Sequence, residues 1–242
     1  MIPFLAFDIE IADDLPEERP WQEVAPLGIT CAATYSNRGI SHVFHGAEQE
    51  DGRLAPRMTK DGCMALLTHL IGATSVGIPI VGWNSLGFDL QVLGYETGAW
   101  SEIRYLAQYD HIDPAFQMLC ERGYMVGLNT ACKGMKVEQK LEGVEGAQAP
   151  AMWRGTREDQ DKVLAYVQQD AKITGLLYKA VVEAKALYWR TKRGSISSWA
   201  PTMKAERMLL VDEAAILPSP DTSWMTNPRP RSKYSGWLEE AA

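Results

Sequence analysis

The run Pro3-Phe4-Leu5-Ala6-Phe7-Asp8-Ile9-Glu10-Ile11 constrains this chain more than any other segment. A short apolar run of this kind reads as a buried strand, in which alternate side chains share a face. Leu5, Phe7, Ile9 and Ile11 then form one wholly apolar face, and Phe4, Ala6, Asp8 and Glu10 form the other. Two neighbouring carboxylates on a buried strand repel each other and lose hydration, a cost on the order of several kcal/mol per ion. A fold retains such a pair where something cationic sits against it. The bland alternative is a strand that frays at Asp8, leaving both acids in water; apolar sequence running on to Ile11 makes this the weaker reading. A paired-carboxylate metal site follows, provided the chain brings further oxygen ligands.

Two other places bring them. In Val81-Gly82-Trp83-Asn84-Ser85-Leu86-Gly87-Phe88-Asp89-Leu90, a short strand enters a Gly/Asn/Ser turn and Asp89 opens an apolar-periodic segment. By itself Asp89 reads as a first-turn acid favoured by the helix dipole. The second place is Ala165-Tyr166-Val167-Gln168-Gln169-Asp170-Ala171, inside a long helical pattern from about Thr156 to Leu187. Val163, Tyr166, Asp170, Ile173 and Leu177 recur at helical spacing, so a tyrosine and an aspartate share an otherwise apolar stripe one turn apart. Tyr166 alone would read as an ordinary amphipathic-helix tyrosine. Carboxylate-only ligation selects hard cations, so Mg²⁺ or Mn²⁺ is expected and zinc is not.

Phe7-Asp8-Ile9-Glu10, Asn84-x3-Phe88-Asp89 and Tyr166-x3-Asp170, in that order, resemble the three motifs of the DEDD superfamily of 3′-5′ exonucleases (DnaQ-like, ribonuclease H-like fold). Tyr166 in place of His corresponds to the tyrosine subclass, DEDDy. The third motif is similar to that of the proofreading domain of family B DNA polymerases. His111-Ile112-Asp113 and Leu128-Asn129-Thr130-Ala131-Cys132-Lys133 resemble stand-alone bacterial relatives. The likeness spans roughly residues 3 to 182, and Ile11 departs from it where many relatives carry Thr or Ser.

The resemblance implies a two-metal phosphodiester hydrolysis with Asp8, Glu10, Asp89, Tyr166 and Asp170 as catalytic residues. Asp8 bridges the two ions, Glu10 and Asp170 complete the site of the attacking water, and Asp89 helps to hold the second ion. Tyr166 orients that water, since a phenol with a pKa near 10 is a poor base at neutral pH. Asn84, Phe88 and Ile9 are implied as substrate-binding residues. The expected activity is hydrolysis at the 3′ end of single-stranded nucleic acid, with DNA favoured on the likeness to proofreading domains. An exoribonuclease or oligoribonuclease is the alternative enzyme. A binding module with an idle nuclease site, serving a polymerase or defence complex, is the alternative from another class; all four acids and Tyr166 speak against it.

The expected fold class is α/β: a ribonuclease H-like mixed sheet with helices on both faces, plus an extended C-terminal arm. The order begins with strand 3–11, a hairpin of 28–36 and 40–45 turned at Asn37-Arg38-Gly39, and a helix near 60–73. A strand over 78–83, a helix over 86–97 and a helical stretch at 101–109 follow. Short elements fill 112–135, a Gly-rich loop covers 142–155, and the long helix closes the unit. This divides the chain into an exonuclease domain, 1–187, and a C-terminal helix and aromatic, basic arm, 188–242.

Composition fits a single folded enzyme with an appendage, since 242 residues bury a sizeable core. No apolar run approaches a membrane span, and the N-terminus enters its strand without a signal-like stretch, so a cytoplasmic protein away from membranes is expected. Cys31, Cys63, Cys120 and Cys132 lack metal or disulfide spacing and read as reduced core residues. His42, His45, His69 and His111 are scattered, with His42 and His45 on opposite faces of a strand; His111 reads as a structural hydrogen-bonder.

The net charge of −7 argues against generic duplex binding, yet it is uneven. Residues 188–242 carry eight Lys/Arg and six Asp/Glu, a net of +2, which leaves −9 for residues 1–187. Tyr188, Trp189, Arg190, Lys192, Arg193 and Trp199, with Trp224, Arg229, Arg231, Lys233, Tyr234 and Trp237 later, interleave aromatics with cations. Such a tail suits stacking and phosphate contacts to single strands. It equally suits anchoring onto the body or onto a second subunit, giving a homo-oligomer, because Pro218, Pro220, Pro228 and Pro230 mark an extended arm that must dock somewhere.

Overall fold

Alternation in the first strand organises the molecule. The computed structural model describes residues 3–140 and 146–239. Strand β1 (Leu5–Ile11) pairs antiparallel with β2 (Ile29–Ser36), which pairs antiparallel with β3 (Ser41–His45). On its other edge β1 runs parallel to β4 (Ile80–Val81), and β4 parallel to β5 (His111–Ile112). The result is a mixed five-stranded sheet in the order β3-β2-β1-β4-β5. The β2–β3 hairpin turns at Asn37-Arg38-Gly39, and Gly39 takes the left-handed conformation (φ +77°) that the turn demands.

The two faces of β1 go to different cores. Leu5, Phe7, Ile9 and Ile11 pack into a cluster with Leu66, Leu67 and Leu70 of α1 (Lys60–Thr74), Leu90 and Leu93 of α2 (Asp89–Thr97) and Leu106 of α3 (Trp100–Tyr109). Phe4 and Ala6 face Ile173, Leu177, Tyr178 and Val181 of the long helix α7 (Arg157–Ala184). Helices therefore cover both sides of the sheet, the ribonuclease H-like α/β arrangement. The start of α7 is set locally: Thr156 and Asp159 exchange side-chain and backbone hydrogen bonds in a capping box. All four cysteines are free and buried. His42 and His45 do not meet; His42 instead stands against His69, with ring centroids 4.9 Å apart.

Between β5 and α7 come α4 (Pro114–Arg122), α5 (Leu128–Met135) and α6 (Ala149–Trp153). Here several expectations need correction. The strand expected over 78–83 is confined to Ile80–Val81, because Asn84 adopts a left-handed conformation (φ +63°) and turns the chain away. Of the Gly-rich loop expected over 142–155, residues 142–145 lie outside the described residues. The remainder is ordered: Gly146–Gln148 form a 3₁₀ turn and Ala149–Trp153 a helix, held by the buried Trp153 ring, whose Nε1 donates to Ala55 O at 3.0 Å.

Beyond α7 the chain forms the hairpin β6 (Leu187–Arg190) and β7 (Ile196–Trp199), then a small hairpin, β8 (Met203–Lys204) with β9 (Arg207–Met208), then the short helix α8 (Val211–Ala215). No helix occupies 188–199, where the aromatic and β-branched alternation of Leu187-Tyr188-Trp189-Arg190 favours a strand. The proline-marked stretch that follows ends in α9 (Ser232–Ser235) and a turn at Gly236–Leu238, and it docks on its own chain. Tyr234 and Trp237 are buried in the α1–α3 core, and Trp237 Nε1 donates to Leu86 O at 3.0 Å. Arg231 donates to the carbonyls of Cys120, Ala215 and Pro218. Tyr234 and Trp237, two of the tail's aromatic anchors, are thus used within this chain, while Trp224 stays exposed. Among the described residues no helix is long and apolar enough to cross a membrane.

Candidate active site

The second face of β1 continues past Ala6 to Asp8 and Glu10, and β1 carries a bulge between Glu10 and Ile11 that shifts its pairing with β2. A bulge kinks a strand and re-aims the adjacent side chain. Asp89 comes from the first turn of α2, and Tyr166 and Asp170 from adjacent turns of α7, the helix lying against this face. Asp8, Glu10, Asp89, Tyr166 and Asp170 all line one cleft of about 500 Å³, together with Ile9, Phe88, Lys140 and Pro150. The four acids of this cleft come from three segments about 80 residues apart in sequence. Glu10, Asp89 and Asp170 are buried, and Asp8 keeps part of its surface open to the cleft.

The electrostatics follow from that crowding. Burial, then the charges of Asp170, Asp89 and Glu10, hold Asp8 well above the usual carboxylate range, with Lys140 opposing. Glu10 is pushed up to about 8 by burial and then by Asp170. Asp89 rises to about 7, again chiefly through burial, although the Ile9 backbone N–H donates to it. Asp170 is raised by burial against the pull of Lys140. The Tyr166 phenol is pushed to about 12 by burial and by Asp170, so it keeps its proton at neutral pH.

Lys140 is the partner that sequence reasoning missed. Its Nζ donates to Asp170 Oδ2 and, at 2.8 Å, to the Tyr166 hydroxyl, and it lies 4.9 Å from the centroid of the Tyr166 ring. The segment before it is tied to α7 by Glu138, which pairs with Lys172 at 2.7 Å. No spacing rule links position 140 to positions 166 and 170, so only the folded chain reveals it. Asp170 Oδ1 is buried without a hydrogen-bond partner among the described residues. Among those residues no three His, Cys, Asp or Glu side chains form a ready-made metal centre. The four acids share a cleft without being closed into a cage.

The candidate substrate residues separate. Ile9 and Phe88 line the cleft; the Phe88 ring also meets Trp21 edge-on at 5.2 Å. Asn84 does not line it. Asn84 sits in the turn that delivers Asp89, where its backbone N–H donates to Asp113 Oδ1 at 2.9 Å. Asp113 is a second group that sequence reasoning did not place: buried, it also accepts from the N–H groups of Leu86, Ala115 and Phe116, which clamps the turn onto the start of α4. Beside it Ser85 and His111 hydrogen-bond at 2.8 Å, and burial lowers His111 to about 3, a neutral structural imidazole. Gly87 is required in this turn, since a Cβ there would lie 2.6 Å from the Tyr234 ring.

The backbone arrangement is similar to a structure of the family B DNA polymerase from the hyperthermophilic archaeon Pyrobaculum calidifontis, with a TM-score of 0.54 and 19% identity over 76% of this chain. The likeness is one of fold. It covers 25% of the polymerase chain, so this chain corresponds in length to a fraction of that protein. No known family model matches the sequence, and no curated protein does.

Proposed function

We propose that this chain is a metal-dependent 3′-5′ exonuclease that hydrolyses the terminal phosphodiester bond of single-stranded nucleic acid, DNA in preference to RNA. The observation that carries this reading is the convergence of Asp8, Glu10, Asp89, Asp170 and Tyr166, three separate sequence motifs, on one cleft. The DNA preference rests on the resemblance of the third motif to proofreading domains.

The donor set fits Mg²⁺ or Mn²⁺. It is all carboxylate oxygen, the choice of hard cations. Asp170 presents a buried oxygen without a partner among the described residues, and Asp8, Glu10 and Asp89 are held above their ordinary pKa values, as crowded anions are where a cation would relieve them. Held by Asp8, Glu10, Asp89 and Asp170, a pair of such ions would supply Lewis-acid charge to an in-line displacement at phosphorus.

The protein's own groups do the rest. Tyr166 Oη, protonated and fixed on a rigid helix, offers one hydrogen bond to orient the attacking water. Phe88 and Ile9 provide apolar cleft wall for the terminal nucleoside. Lys140, within reach of Asp170 and Tyr166, places a positive charge where the negative charge of the phosphoryl group develops.

The test is incubation of end-labelled single-stranded DNA and RNA with Mg²⁺, Mn²⁺ or EDTA. Stepwise shortening from the 3′ end is expected, requiring metal and abolished in Asp8→Ala and Asp170→Ala proteins that retain wild-type circular dichroism. Degradation by both variants at the wild-type rate would overturn the assignment.

A further inference from the structure

A second cleft, about 760 Å³, lies outside the acid site between α5 and the β6–β7 hairpin. Its size falls within the range of about 300–1,000 Å³ common for ligand clefts. Gly134 makes the junction: a Cβ there would lie 1.9 Å from Tyr188 O and 2.5 Å from Trp189 Cα, so α5 and β6 meet backbone to backbone. The Tyr188 N–H also points at Met135 Sδ, 3.2 Å away.

The lining has one sign of charge. Lys133 and Lys136 come from α5 and its C-cap, and Arg190 and Lys192 from the hairpin, and among the described residues no Asp or Glu lines the cleft. All four cations are exposed, and none forms an ion pair among the described residues. Arg190 donates to the nearby Gly194 carbonyl at 3.0 Å. In a chain of net charge −7, four exposed cations around one cleft form a local patch complementary to an anion.

Aromatic rings stand among them. Tyr188 is 44% exposed on β6, and Tyr124 packs edge-on against the buried Trp189 at 6.4 Å. Trp224, 66% exposed, meets Tyr124 at 6.1 Å. Open ring faces beside spaced cations are the arrangement that holds single strands, through base stacking and phosphate contacts together. An acidic peptide would use the cations but leave the rings unemployed.

Position ties the two clefts together. Trp83, which leaves β4 toward the Asp89 turn, donates to Val126 O in the second cleft at 3.1 Å. From Lys136 on its edge to Lys140 in the acid cleft is four residues, at most about 14 Å of extended chain. We propose that the α5/β6–β7 cleft is a binding site for single-stranded nucleic acid, holding the strand on the 5′ side of the end that lies at the acids. Its strand polarity rests on the proposed exonuclease activity; its binding of the strand does not.

The experiment measures binding of a 5′-fluorescein-labelled oligothymidylate, about 15 nucleotides long, by anisotropy in EDTA between about 50 and 200 mM salt. Wild-type protein is compared with Lys133→Gln/Lys192→Gln and Tyr188→Ala, all at exposed positions. The lysine variant should bind at least tenfold more weakly and lose about 1.4 from the salt slope, two phosphate contacts at about 0.7 each for a single strand. Tyr188→Ala should bind at least fivefold more weakly with the slope unchanged. With Mg²⁺, both variants should degrade dinucleotides as wild type does and long strands with a raised KM. Wild-type affinity and slope in the lysine variant would overturn the proposal. So would equal displacement of the strand by a polyglutamate peptide together with an inert Tyr188→Ala. If the groove variants lose binding while the wild-type protein degrades nothing, the exonuclease reading fails and the groove stands.

Discussion

Replacing Glu10 with Gln should stabilise the metal-free protein, and do so only above mildly acidic pH. Glu10 is 7% exposed, and burial together with Asp170 raises its pKa from 4.5 to about 8. A raised carboxyl pKa in the folded state means that the ionised form is tolerated less well there than in the unfolded chain. Below pH 4.5 Glu10 is neutral in both states, so Gln and Glu should be equivalent. Between pH 4.5 and 8 the wild-type protein loses stability that the amide does not lose, and above about 8 the gap is constant. Three and a half pKa units at about 1.36 kcal/mol each cap the gain near 5 kcal/mol. That shift already includes the opposing charge of Lys140, and the amide hydrogen-bonds less well than the carboxyl, so a gain of about 1–3 kcal/mol is expected. For a chain of this length that raises Tm by about 3–10 °C. Thermal unfolding followed by circular dichroism in EDTA, from pH 4 to 9, gives the variant-minus-wild-type difference directly. Millimolar Mg²⁺ should narrow it, because only the intact acid set gains full binding energy. A Gln variant less stable than wild type at pH 8.5, or a difference independent of pH, would refute the view that Glu10 is held ionised at a cost.

Three further outcomes follow from the same geometry. Tyr166→Phe removes a hydroxyl but no carboxylate, so Mn²⁺ affinity by titration calorimetry should be unchanged while kcat falls about 5- to 150-fold, the loss of one hydrogen bond of about 1–3 kcal/mol; a wild-type kcat would make Tyr166 a packing residue. Lys140→Gln withdraws the ammonium from Asp170, so the metal-free Tm at pH 8 should fall and Mn²⁺ should bind more tightly by electron paramagnetic resonance, an unchanged affinity being the refuting result. Trp237→Ala deletes a buried ring and its hydrogen bond to Leu86 O, at about 3–5 kcal/mol, and should lower Tm by at least about 6 °C; a drop under about 2 °C would show that the C-terminal segment is not part of the core.

Much of the sheet was legible because its signals are local. Period-two alternation in residues 4–11 assigned Leu5, Phe7, Ile9 and Ile11 to one core and Phe4 and Ala6 to the other, and Asn37-Arg38-Gly39 announced its hairpin. The candidate acids were legible for the same reason: a carboxylate inside an apolar strand or on an apolar helical stripe violates the local pattern, and the violation shows without a fold. Residues 188–208 were harder: interleaved aromatics and cations read as a helix and an extended arm, where the chain instead forms two hairpins.

What the sequence by itself determined, then, is which side chains had to be buried and which buried anions needed a partner. What only the tertiary structure decided is who meets whom. Asp113 takes the N–H groups of Asn84 and Leu86 in the Asp89 turn, 29 and 27 residues away, Lys140 reaches Asp170 and Tyr166 across a span of some thirty residues, and Trp237 closes over Leu86 from 151 residues away. Lys133 and Lys136 join Arg190 and Lys192 only because Gly134 lets a helix touch a strand. Each of these contacts is ordinary in chemistry and distant in sequence, and no periodicity within either segment encodes the surface that the other will cover.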